Sequence, residues 1–107
     1  MEPFTSKSIF LQLNLLAQAH AERLAKANTL QSSENGYAEN LWAHFGPLRS
    51  LRVDVRDAIS NWFTGNLAPG HVISRVDKEV LVSDKIRFLG IGADTNDNYT
   101  VVVANYA

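Results

Sequence analysis

Proton transfer in this chain falls to three histidines, His20, His44 and His71, and anion recognition to three closely spaced arginines, Arg49, Arg52 and Arg56. The histidines are too far apart in sequence to form a metal motif. A structural zinc site wants an i, i+4 pair or a cysteine partner, and neither is present. His20 falls on the apolar stripe of a predicted helix, where a core histidine with both ring nitrogens satisfied is the commoner outcome. A buried histidine opening onto a cavity is also the best general acid or base on offer, with Asp57 or Asp84 as a partner only through folding. No G-x-S-x-G elbow, Cys–His pair or H-E-x-x-H motif occurs, so no catalytic residue is assigned and enzymatic activity stays an open question.

The arginines recur at steps of three and four, which sets them on one side of a helix with Phe63 near the same line. Asp54 and Asp57 fall on another side of that helix. A basic stripe beside an aromatic suits an acidic partner or a phosphate. The alternative is that the arginine stems cover the edge of the core while their guanidinium groups reach water. Trp42, Phe45, Trp62 and Phe63 cannot all face inward, and exposed aromatics beside arginines are the composition of a protein interface. Arg49, Arg52, Arg56, Phe63 and Trp42 are therefore the candidate binding residues.

Two further patterns carry less. Asp94-Thr95-Asn96-Asp97-Asn98 begins like a calcium loop, but Tyr99 stands where glycine is needed and Asn105 where a bidentate glutamate should close the site. A polar hairpin turn is the simpler reading, and no metal site is assigned. Gly90-Ile91-Gly92 lacks the third glycine and the following helix of a phosphate loop. Paired glycines in a strand mark a bulge or the close approach of another backbone. No cofactor is expected.

Positioning these residues takes an α+β chain. A first helix is predicted from a Thr5 or Ser6 cap to about Leu30, on the stripe Ile9, Leu13, Leu16, His20, Leu24 and Ala27. A short second helix is predicted over Tyr37 to Phe45, with Tyr37, Leu41 and Phe45 on one face. A third is predicted from Pro47 to Thr64, stopped by Gly65. Strands follow at Val72–Val76, Glu79–Val82, Lys85–Ile91 and Tyr99–Tyr106. The expectation is three N-terminal helices packed on one face of a C-terminal antiparallel meander of three to four strands. In element order alone the chain resembles the cone-shaped pocket folds of the nuclear-transport-factor-like group. That resemblance implies a small-molecule pocket between helices and sheet, with a histidine as acid or base.

At 107 residues, with 46% hydrophobic and 20% charged, the chain suits one folded domain over residues 1–107. A net charge of −1 provides no global field for nucleic acid or an acidic membrane. There is no cysteine, no apolar run long enough to span a bilayer and no clean secretory leader, which together suggest a cytoplasmic protein. The expected function is a non-catalytic protein-binding module, such as an inhibitor, adaptor or assembly subunit. The stretch Tyr99 to Ala107, without Lys, Pro or acidic residues, reads as a bare edge. It is either buried in its own sheet by out-of-order pairing or, as expected here, pairs with a second copy to form a homodimer.

Overall fold

The computed structural model describes residues 6–73 and 88–107. The strand expected at Glu79–Val82 and the start of the one expected at Lys85 lie outside the described residues. Six elements follow in the order α1 (Ser6–Ala27), β1 (Ala38–Phe45), α2 (Leu51–Thr64), β2 (His71–Ile73), β3 (Leu89–Asn96) and β4 (Tyr99–Tyr106).

Helix α1 stops three residues short of the expected end. Asn28 adopts a left-handed φ of 53°. Its N–H bonds to the Ala25 carbonyl, and the Thr29 N–H reaches back to Leu24. That is a Schellman closure with asparagine in the position usually held by glycine. Helix α2 begins at Leu51 rather than Pro47, because Ser50 is the N-cap and accepts from the Arg52 N–H. Gly65, at φ 73°, ends it as expected.

The predicted second helix is a strand. Residues 41, 43 and 45 alternate as well as residues 37, 41 and 45 satisfy a helical stripe, so spacing alone does not separate the two. Pairing decides it: β1 lies antiparallel to β4 over eight residues, from Ala38↔Tyr106 to Phe45↔Tyr99. With Asn40 to His44 all buried, β1 is covered on both faces, and such strands read as continuous runs. Two helices are therefore described instead of three.

The described sheet is antiparallel, in the order β2-β1-β4-β3, and not a simple meander. Strand β4 lies between β1 and β3 with every residue buried. The bare edge invoked for pairing between two copies is thus already occupied. The chain does reverse after β3 as expected, but Asp94, Thr95 and Asn96 belong to the strand and only Asp97-Asn98 form the turn.

Strand alternation sorts the core into two layers, and the helices take opposite faces instead of sharing one. Leu41, Ala43, Tyr99, Val101 and Val103 pack with Ala17, Ala21, Leu24 and Ala25 of α1. On the other face Trp42, Val102, Ala104 and Tyr106 pack with Ala58 and Trp62 of α2. The α1 layer is unusually close. A Cβ at Gly90 would stand 2.3 Å from the Leu13 carbonyl carbon, and one at Gly92 would stand 2.3 Å from Gln18 Cα. The glycine pair marks the approach of another backbone, as expected from the sequence. Side chains of α1 also serve the outer edge of β3. Asn14 Oδ1 accepts from the Ile91 N–H, and the Gln18 amide both accepts from Ala93 N–H and donates to its carbonyl, at 3.0 Å each.

Candidate functional site

The site is built where β1, β2 and the start of α2 meet. Trp42 and His44 are two residues apart on β1, so both project toward the α2 face. His44 stands opposite His71 of β2 and opposite Thr100 of β4. The His44 ring lies 4.9 Å from the His71 ring, edge to face, and stacks beside Trp42 at 6.2 Å.

Asn61 of α2 fixes the chemistry of His71. The Trp42 indole N–H donates to Asn61 Oδ1 at 2.8 Å, and indole nitrogen can only donate, so the oxygen must face it. The Asn61 amide in turn donates to the Asn66 carbonyl. His71 Nδ1 lies 3.1 Å from the same Asn61 oxygen, so it carries the proton. In neutral His71 the lone pair is then left on Nε2.

Charge enters from the front of α2. Arg49 donates to Asp54 Oδ1 through Nε at 3.1 Å and Nη2 at 2.6 Å, and Nη1 lies 3.0 Å from Asp57. Asp54 has no solvent exposure. Arg49 therefore stands before the helix and is committed to two carboxylates, whereas a helix begun at Pro47 would set those aspartates on a different side from it. Three fully buried polar atoms, His44 Nδ1, Asp54 Oδ2 and Thr100 Oγ1, have no hydrogen-bond partner among the described residues. Burial pushes the His44 pKa below its ordinary value. Arg49 and His71 add to that effect, while Asp54 and Asp57 oppose it.

The other sequence candidates are dispersed. Trp42 is fully buried, so it is a core residue and not a surface contact. Arg52, Arg56 and Phe63 are exposed on α2, and Ser60 lies on the same line. They face away from the buried Asp54, Ala58, Asn61 and Trp62. Arg56 lies 3.6 Å from Asp57, and Arg52 has no side-chain partner among the described residues. His20 is 5% exposed and satisfied. Its Nε2 lies 2.6 Å from the Gln31 carbonyl and must donate, leaving Nδ1 to accept from Arg23. The described residues contain no group of three or more His, Asp or Glu side chains placed to hold a metal ion. Asn96, from the calcium-like loop, turns its amide to the Ala25 carbonyl.

Nothing in the sequence pattern singles out Asp54, Asn61 or Thr100. Reading Trp42 and His44 as strand neighbours would have found the corner, since Pro69-Gly70 then delivers His71 to an adjacent strand.

A second polar cluster closes the far end of β1. Glu39 accepts from the Ser33 N–H and hydroxyl and from Asn105 Nδ2. Burial pushes its carboxyl up, but these bonds together outweigh it and hold the pKa below the ordinary value.

Comparison with known proteins gives one family. The model described as CAP, cysteine-rich secretory protein family, matches residues 11–106. No curated protein and no solved structure matches the chain.

Proposed function

The chain belongs to the CAP, or cysteine-rich secretory protein, family, and on that premise we propose that it is a non-catalytic protein-binding domain whose contact surface is the solvent face of α2. The observation that carries this reading is the Arg52–Arg56–Phe63 line. Phe63 is 45% exposed, and Arg52 is uncommitted among the described residues. Arg49, in contrast, is held by Asp54 and Asp57 and belongs to the scaffold. An exposed aromatic flanked by exposed guanidinium groups fits an acidic protein surface. The description "secretory" favours a setting outside the cell over the cytoplasm suggested by the sequence.

The test is capture from secreted proteins on immobilised chain, comparing wild type with Arg52→Glu/Arg56→Glu/Phe63→Ser. A control, Leu15→Gln, alters the exposed face of α1. The triple variant is expected to keep its melting temperature and to lose captured partners at least tenfold, with the control unchanged. Equal capture by the triple variant overturns the reading.

One observation favours a second reading. The Nε2 of His71, on a ring oriented through Asn61, is placed to act as a base for a ligand seated at that corner. His71→Gln would abolish turnover of such a ligand and leave partner capture intact.

A further inference from the structure

The shortest ladder in the described sheet joins β1 to β2 through three pairs, Trp42↔Ile73, Ala43↔Val72 and His44↔His71. One pair in three therefore sets two titratable rings against each other, 4.9 Å apart. His44 is 8% exposed, and its Nδ1 has no partner among the described residues to share a second proton with. Each packed element contributes a group to this corner. Arg49 comes from the segment before α2, Asp54 and Asp57 from α2, His71 from β2 and Thr100, which is neutral, from β4. Arg49 holds one oxygen of each carboxylate, and burial together with Arg49 and His71 outweighs the pull of Asp54 and Asp57 on a His44 proton.

We infer that the His44–His71 pair is a proton-operated catch, which holds β2 on β1 at neutral pH and releases it on mild acidification. A proton on His44 is buried beside Arg49 and faces the His71 ring 4.9 Å away across the ladder. Among the described residues β2 is held by three pairs, the Phe45 N–H to Gly70 carbonyl bond, the His71 bond to Asn61 and the packing of Ile73. The lowered affinity of docked His44 for protons sets the direction. Released His44 takes up a proton near the ordinary value of about 6.5, and docked His44 does so at lower pH. The docked form thus loses ground as pH falls below about 6.5 and regains it as pH rises. Release uncovers the β1 edge and the indole of Trp42, whose ring lies 5.1 Å from His71. This inference uses no residue of the Arg52–Phe63 surface.

Amide hydrogen exchange decides it, measured from pH 7 to 5 and normalised to intrinsic rates. Residues 42–45 and 71–73 report the catch, and residues 101–104 of β4 serve as the internal reference. In wild type the first group is expected to lose protection roughly tenfold while β4 holds. His44→Gln and His71→Gln should each weaken this dependence. Unchanged protection in wild type overturns the proposal, as does loss spread equally over β4, which is global unfolding. A variant that folds and shows the full wild-type dependence overturns the role of its histidine. If neither variant folds, the contrast between the ladder and β4 in wild type still decides between release and global unfolding.

Discussion

The two faces of this sheet are held by different physics. Against α1 the contact is backbone on backbone, made possible by Gly90 and Gly92, and the outer edge of β3 is bonded by Asn14 and Gln18. Against α2 the contact is made by Trp42, Trp62 and Tyr106, with a corner of histidines, a buried aspartate and three polar atoms that have no partner among the described residues. The first face leaves little room for change. The second face retains buried polar groups among its aromatic rings, and burial lowers the proton affinity of one of them, His44. The binding surface and the catch proposed above would both lie on the α2 side, with the α1 side as the frame.

Gly92→Ala should cost the most, because the new methyl meets Gln18 and Ala17 backbone atoms that no rotamer change can move. A loss of about 3 kcal/mol is expected, at the top of the usual overpacking range. Urea unfolding reads it directly. A loss below about 1 kcal/mol would mean that α1 can ride outward, and the contrast between the faces would fail.

Arg49→Met comes next. It strips Asp54, fully buried, of both its hydrogen bonds. Because the Arg49 side chain is one-third exposed, the loss should lie near ~2 kcal/mol, less than for a fully buried pair. Adding Asp54→Asn to Arg49→Met should recover part of it. No recovery would show that the guanidinium acts by packing.

Glu39→Gln is the smallest effect and sharpens the comparison by pH. Glu39 lies on the α1 face with a lowered pKa. Its contribution is therefore full above the ordinary value of about 4.5 and lost as pH falls through the folded value. The variant should be less stable at pH 7 by about 1 kcal/mol, with a gap that stays open down to the ordinary carboxylate range and narrows only below it. Urea midpoints at pH 7, 5 and 3.5 check this. A gap that closes between pH 7 and 5 would place Glu39 in the acid response assigned to the histidines.

Local chemistry is legible in this sequence, and non-local pairing is not. The glycine pair announces a close backbone approach, and the α1 stripe and the Gly65 stop are readable from spacing. Asn28 is a readable stop too, but asparagine ends helices less often than glycine, and the alanines before it favour continuation. Strand β1 imitates a helix because Tyr37, Leu41 and Phe45 satisfy a helical period while tertiary cover on both faces hides the alternation. That one ambiguity hides the site: a helix would turn Trp42 and His44 about 200° apart, whereas a strand aligns them. The placement of the helices on opposite faces follows from β4 entering between β1 and β3, a pairing over some sixty residues that no local pattern specifies. In the same way, Pro47 outcompetes Ser50 as a helix start on paper, because Ser50 has no Glu or Gln three positions on to complete a capping box.

Strand β4 supplies the centre of the sheet, yet among the described elements it is the last to leave the ribosome. Until Tyr99–Tyr106 emerges, β1 and β3 have no common partner, and α1 has nothing rigid on which to set its small-residue face. A nascent chain must therefore carry every described element before Tyr99 with its two core layers unformed, which is the interval when apolar surface is open to aggregation or to a chaperone. The described fold is thus assembled in a single late event instead of element by element, and a chain interrupted before β4 keeps neither face.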